Sequence, residues 1–158
     1  MKAEDIANDL LAAFAASLEL EPDGLRLQDG YTCMAVDKAL VVHMRLKEES
    51  RELDLFMELG LIPPERREAV LVDMLQGNVL FQATEGGALG YDQARGIAAL
   101  TRRVALDGLD SDGFRDRLER FLAVASFWGR RVRGDADEKD HALDTEAESF
   151  ARSPFLRV

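Results

Sequence analysis

Apolar residues recur every three or four positions along residues 4–20, which predicts a first helix with one buried side. The stripe consists of Ile6, Leu10, Leu11, Phe14 and Leu18. Pro22 and Gly24 follow it, and both residue types interrupt helices. The first element is therefore an amphipathic helix that stops near residue 20.

The apolar period then changes to two, which predicts strands with one apolar face. A first alternation places Leu40, Val42, Met44 and Leu46 against polar neighbours, and a second uses Leu53, Leu55, Met57 and Leu59. Residues 31–36 form a shorter strand between two turn-forming pairs. Three strands with short connections predict an antiparallel meander.

A second helix is predicted over residues 65–80, because Pro63 and Pro64 suit the first turn of a helix. Its apolar residues spread too far around the helix for one buried stripe, so the helix needs two partners. They are Val70, Leu71, Val72, Met74, Leu75, Val79 and Leu80.

Residues 88–91 and 97–106 then predict a hairpin. Asp110 or Ser111 is expected to cap a last helix of about five turns. The core side of that helix carries Phe114, Leu118, Phe121, Leu122, Ala125 and Trp128. The predicted fold is α+β, of the order α-β-β-β-α-β-β-α, with a twisted antiparallel sheet flanked by helices. Residues 1–132 form this domain. Residues 133–158 are an acidic tail with a short helix before Phe150.

Composition and charge limit the binding partners and the cellular location that the chain can have. Thirty acidic against twenty basic residues give a net charge of -10, so nucleic acid and anionic membranes are repelled rather than bound. The lone Cys33 cannot form an internal disulfide, and no leader or long apolar run is present, so a cytoplasmic location is expected, without membrane insertion.

Few residues offer chemistry. His43 and His141 stand in different predicted elements, so no metal site is expected. Cys33 is a candidate nucleophile if His43 lies across the meander from it, although such a cysteine is more often a packing residue. The glycines at 86, 87 and 90 lack the spacing and the lysine of phosphate loops. We therefore expect no catalytic residue and no cofactor.

The region 74–132, MLQGNVLFQATEGGALGYDQARGIAALTRRVALDGLDSDGFRDRLERFLAVASFWGRRV, resembles the class I type III secretion chaperones, the Tir-chaperone or CesT family, as does LQDGYTCMAVD. The resemblance covers roughly residues 3–132. Three groups of residues carry the resemblance in chain order. They are Leu75, Asn78, Phe81, Gly86, Gly87, Leu89 and Gly90, then Arg102, Arg103, Leu106, Leu109 and Asp110, and finally Trp128.

This resemblance implies a bacterial homodimer that binds an extended N-terminal segment of a secreted effector and also meets components of the secretion apparatus. The implied dimer contacts are Leu71, Leu75, Val79, Leu80, Leu89 and Tyr91. The implied effector groove, lined by the first helix and the meander, contains Ile6, Leu10, Leu11, Phe14, Met34, Val36, Val42 and Met44. Each of these eight residues fits a place in the core equally well.

Two alternatives remain open from the sequence. One is a YbjN-like module of similar architecture that acts as a binding or regulatory domain outside secretion. The other is a small thiol enzyme that uses Cys33 and His43.

Overall fold

A computed structural model of the chain describes residues 1–36 and 40–135. Within them the helices are α1 (Ala3–Ser17), α2 (Arg67–Gly77) and α3 (Ser111–Arg133). The strands are β1 (Tyr31–Ala35), β2 (Val41–Lys47), β3 (Glu52–Leu61), β4 (Ala88–Asp92) and β5 (Ile97–Ala105). Short 3-10 turns lie at Pro22–Leu25, Pro64–Arg66 and Val79–Phe81. The predicted α+β order is confirmed.

The strands form one antiparallel sheet in the order β1-β2-β3-β5-β4. The predicted meander and the predicted β4–β5 hairpin are both present. The hairpin joins the meander through β5, so that β4 and β1 are the two edges. A bulge between Glu58 and Gly60 lets β3 follow the twist of the sheet.

Helices α1 and α3 cover one face of the sheet. The apolar halves of the strands point towards them, and Leu53, Leu55, Met57 and Leu59 are fully buried. Phe14 of α1 meets Phe114 of α3 edge to face, with ring centroids 6.3 Å apart. The core therefore lies between this face and the helices, and none of the described helices covers the other face, which we call the open face.

Helix α2 is shorter than predicted and ends at Gly77 instead of residue 80. The reason is tertiary, because the Asn78 side chain turns to β4 and bonds the backbone of Leu89. Leu80 and Phe81 then adopt left-handed φ angles of 56°, which no α-helix contains. Helix α1 likewise ends at Ser17, before Glu19 takes a φ of 57°.

Helix α3 is longer than the predicted five turns and runs for 23 residues. Asp110 caps its start, because its carboxylate accepts a hydrogen bond from the Gly113 amide at 2.8 Å. Left-handed Gly134 closes its end, and Arg66 donates to the carbonyls of Arg131 and Val132. The acidic tail and its short helix lie, apart from residues 133–135, outside the described residues.

Candidate functional site

The first candidate surface is apolar and lies along α2 and the turn that follows it. Five large apolar side chains there are at least half exposed, led by Leu75 at 70%. We call this the α2 surface; it consists of Val72, Leu75, Val79, Leu80 and Phe81. Val70 and Met74 point the other way into the core. One side of the second helix therefore packs against the core, whereas no described residue covers its other apolar side. Exposed apolar patches of this kind are typical of protein interaction sites.

The turn after α2 is held firmly by polar contacts. Asn78 bonds both backbone groups of Leu89, with its Oδ1 accepting from the amide at 2.8 Å and its Nδ2 donating to the carbonyl at 3.0 Å. Trp128 donates its Nε1–H to the Ala83 carbonyl at 3.0 Å. Thr84 donates its hydroxyl to the Gly87 carbonyl at 2.7 Å. The surroundings therefore fix the strained conformation of Leu80 and Phe81.

The residues implied as dimer contacts fall into three groups. Leu75, Val79 and Leu80 are exposed on the α2 surface, and Leu71 and Tyr91 are half-buried beside the core. Leu89 is only 7% exposed, since its side chain faces α2. Within one chain Leu89 is thus a core residue, and a dimer contact at any of these six residues stays a prediction.

The residues implied as the effector groove divide in the same way. Leu10, Leu11, Phe14, Val42 and Met44 are at most 5% exposed. Within one chain they fill the space between α1, α3 and the central strands, and their role in an effector groove stays a prediction. The half-buried members that remain are Ile6, Met34 and Val36.

Strand β1 offers an open backbone edge beside Met34 and Val36. Tyr31 exchanges two hydrogen bonds with Gln28, outside the sheet, whereas the Val36 amide donates inward to Leu40. Because bonding alternates along an antiparallel strand, Cys33 and Ala35 also turn their amide and carbonyl groups outward. No residue of the described ranges bonds these groups. The edge can therefore accept a further strand.

The open face of the sheet carries an aromatic row across β1, β2 and β3. The His43 ring lies between Tyr31 and Phe56, with centroid separations of 6.1 Å and 5.9 Å. Tyr31 Oη and His43 Nδ1 form a hydrogen bond of 2.6 Å. Together with Phe81, Gly87, Ala88 and Thr101, the row lines a shallow hollow of about 700 Å³.

Ion pairs stabilise the rest of this face. Asp54 meets Lys47 and Arg103, each at 3.1 Å, and Glu58 meets Arg95 at 2.7 Å. Partial burial tends to raise the pKa of Asp54, but hydrogen bonds from Lys47 and Arg103 outweigh it and hold that pKa below its ordinary value of 3.8.

The thiol alternative can be compared with this geometry. Cys33 does lie opposite His43 in the strand register. However, the Nδ1 atom of His43 is bonded to Tyr31. Partial desolvation and the nearby Cys33 thiol raise the pKa of the Tyr31 hydroxyl. One of the two imidazole nitrogens is thus engaged by a phenol.

Metal-ligand clusters and membrane-spanning helices are both absent from the described ranges. No group of three or more His, Cys, Asp or Glu side chains there is placed to hold a metal ion. Of the described helices, none has the length and hydropathy that a bilayer crossing requires. His141 lies outside the described residues.

Phe81 is a surface residue whose role the sequence concealed. In the sequence Phe81 belongs only to a motif of the family resemblance, yet it is 53% exposed and lies both on the α2 surface and at the hollow. The two adjoining positive φ angles that present it depend on contacts with β4 and α3, so no local signal marks it.

Comparisons with known proteins agree with this fold. Residues 9–129 match the model of the Tir chaperone protein (CesT) family. A search of curated proteins gave no match. One chain of the ExsC–ExsE complex is 22% identical, with a TM-score of 0.69, over 84% of this chain and 97% of that chain.

Two further solved structures are similar. One chain of the HopA1–SchA chaperone–effector complex is 23% identical over 83% of this chain and 95% of that chain, with a TM-score of 0.64. One chain of the heterodimeric ExoU–SpcU complex, from the type III secretion system of Pseudomonas aeruginosa, is 22% identical over 77% and 93%, with a TM-score of 0.58. At this identity the likeness establishes the fold.

Proposed function

We propose, because the chain belongs to the Tir chaperone protein (CesT) family, that it is a type III secretion chaperone which binds an extended N-terminal segment of a secreted effector. Structures similar to this chain come from a chaperone–effector complex and from a complex of the type III secretion system of Pseudomonas aeruginosa. The chaperone keeps the bound effector stable and competent for secretion in the bacterial cytoplasm.

The observation that carries this proposal is the open edge of β1. Its outward amide and carbonyl groups at Cys33 and Ala35 need partners, and an extended peptide supplies both kinds of group. Met34 and Val36 flank them as half-buried apolar side chains on the helix side. An effector segment with alternating apolar residues would therefore gain backbone hydrogen bonds and apolar contacts together.

The α2 surface supports association into a homodimer. Leu75 and Leu80 together with Phe81 are too large and too exposed to be left in water without cost. In a twofold dimer the same surface meets its own copy, so one patch suffices on each subunit. Half-buried Leu71 and Tyr91 border this contact.

Neither a cofactor nor a catalytic step is part of this function. Binding an unfolded segment requires a complementary surface and no chemical reaction. The Cys33 and His43 side chains are part of the surface formed by β1 and β2. Components of the secretion apparatus are expected to meet the loaded complex, which brings the effector to them.

The test uses the position of Cys33, the single cysteine of the chain, on the open edge. The full chain is co-expressed with the secreted protein encoded beside its gene, and the complex is isolated. Single cysteines are then placed at consecutive positions in the N-terminal segment of that effector, and disulfide formation with Cys33 is measured. A bound strand gives crosslinks at every second position.

Two controls sharpen this experiment. A chain in which Cys33→Ser is combined with Ser17→Cys carries an exposed thiol away from the edge and should give no periodic pattern. Deleting the N-terminal segment of the effector should abolish the complex. A chain that is monomeric and forms no complex with any such protein would refute the proposed function.

A further inference from the structure

The two edges of the sheet differ in a way that the proposed function does not explain. At β1 the outward backbone groups of Cys33 and Ala35 are open. Along the β4 edge the outward groups of Gly87 and Leu89 are already bonded by Thr84 and Asn78 of the preceding turn. A strand edge with unpaired groups is a template for another strand, so the difference decides where a strand can add.

Two side chains close the β4 edge. Asn78 bonds both the amide and the carbonyl of Leu89, at 2.8 Å and 3.0 Å. Thr84 also bonds both backbone groups of Gly87. Its backbone carbonyl accepts from the Gly87 amide at 3.0 Å, and its hydroxyl donates to the Gly87 carbonyl at 2.7 Å. Thr84 is buried, so water does not compete for these bonds. Only Tyr91 is left as an outward position of β4 itself.

We propose that Asn78 and Thr84 close β4 against the β1 edge of a second copy, which leaves β1 as the edge of the described sheet that takes a strand. If both edges were open, β1 of one copy could pair with β4 of the next. Such a head-to-tail contact would join successive copies into a ring or an open filament. The closed β4 edge permits one strand to be added at β1 without permitting growth.

This inference deepens the proposed function, because it explains how an edge can stay open for an effector while the free protein stays a discrete assembly. It also assigns different roles to the α2 surface and to the adjacent edge of β4. The second copy in the homodimer would pack against side chains of the α2 surface and would form no backbone ladder with β4 around Leu89.

The test opens β4 and needs no effector, so it can fail independently of the proposed function. In the full chain, Asn78→Ala is combined with Thr84→Val, and mass is followed by light scattering over a range of concentrations. The mass should rise with concentration to more than about twice that of the unchanged chain, because each added copy presents a further open β4 edge. Thr84→Ser, which keeps the hydroxyl, should leave the mass unchanged.

A third substitution identifies the partner edge. Ala35→Pro removes an outward amide from β1, and an edge strand tolerates proline there. Added to the double variant, it should restore the original mass. Growth that persists despite Ala35→Pro would overturn the inference, as would an unchanged mass in a double variant whose Leu89 amide exchanges rapidly with deuterium.

Circular dichroism checks that the double variant is folded. If it is not, Asn78→Asp alone takes its place, because a carboxylate can still accept from the Leu89 amide but cannot donate to the Leu89 carbonyl. The same concentration-dependent growth, again removed by Ala35→Pro, is expected from this variant. A folded Asn78→Asp variant with the original mass at every concentration would overturn the inference.

Discussion

Gly77 lies directly against the indole ring of Trp128, and this contact fixes how α2 sits on α3. A methyl group built on Gly77 would overlap Trp128 Cζ2 and come 2.7 Å from Cη2, well inside contact distance. The ring cannot easily move away, because its Nε1–H is bonded to the Ala83 carbonyl. The last residue of α2 therefore has to be glycine for α2 to approach this closely.

Replacing Gly77 by alanine should destabilise the protein. Forcing a methyl group into packed space typically costs about 1–3 kcal/mol. The free energy of unfolding, measured with urea, should fall by that amount. Gly24→Ala is the matched control, since a methyl group there meets nothing within 4 Å. Equal stability of the Gly77→Ala variant and the original chain would show that α2 packs differently.

Leu75→Glu should separate the proposed homodimer. Leu75 is the most exposed residue of the α2 surface at 70%, so the change leaves the fold of one subunit intact. In a twofold contact it would place two carboxylates in an apolar interface. Light scattering should give twice the 17.6 kDa chain mass for the original protein and a single chain mass for the variant.

Gln28→Glu, an exposed change next to β1, adds the same charge elsewhere and should leave the dimer intact. If the original chain already has the mass of one subunit, the α2 surface does not mediate a homodimer.

Asp54→Asn should reduce stability at neutral pH and have little effect in acid. The pKa of Asp54 is lowered in the folded state, so its ion pairs stabilise the fold above the ordinary carboxyl pKa and lose this effect as the pH falls below about 3.8. Because the partners are largely exposed, the loss should be only about 0.5–1 kcal/mol. Urea unfolding at pH 7 and pH 3 measures it.

Glu119→Gln is the control for this pH dependence, because Glu119 is an exposed carboxylate that forms no ion pair with any other residue in the described ranges. It should change stability little at either pH. A loss for Asp54→Asn that is as large at pH 3 as at pH 7 would mean that packing, and not charge, is responsible.

Cys33→Ser should leave effector binding and dimer mass unchanged. Serine keeps the size and the outward backbone groups of the β1 edge, and it removes only the thiol. Affinity for the effector is measured by calorimetry with both proteins. A large loss on this substitution alone would revive the thiol alternative, because only a chemical role requires sulfur at this position.

The sequence predicts the sheet well because burial there follows a local rule. The alternation of Leu53, Leu55, Met57 and Leu59 is enough to identify the central strand, since each inward position of that strand is covered. The end of α2 was predicted three residues too late for the opposite reason. Asn78 leaves the helix to bond Leu89, and a contact between residues eleven apart gives no local pattern.

Groove and core could not be separated from the sequence, because both use the same residue types. Met34 and Met44 occupy neighbouring strands and point to the same side of the sheet. Met44 is fully buried because β2 lies between two other strands, whereas Met34 on the edge strand stays half-exposed. Periodicity assigns the side on which a residue lies, but neighbours in the fold decide how much of it is covered.

Leu80 and Phe81 carry a cost that the isolated subunit does not recover. Both adopt a backbone conformation that glycine takes freely and that costs a larger residue on the order of 1 kcal/mol. Both also keep more than half of their surface in water. Glycine at either position would relieve this backbone strain in an isolated subunit. In the proposed homodimer, burial of this pair against a second chain would offset the strain.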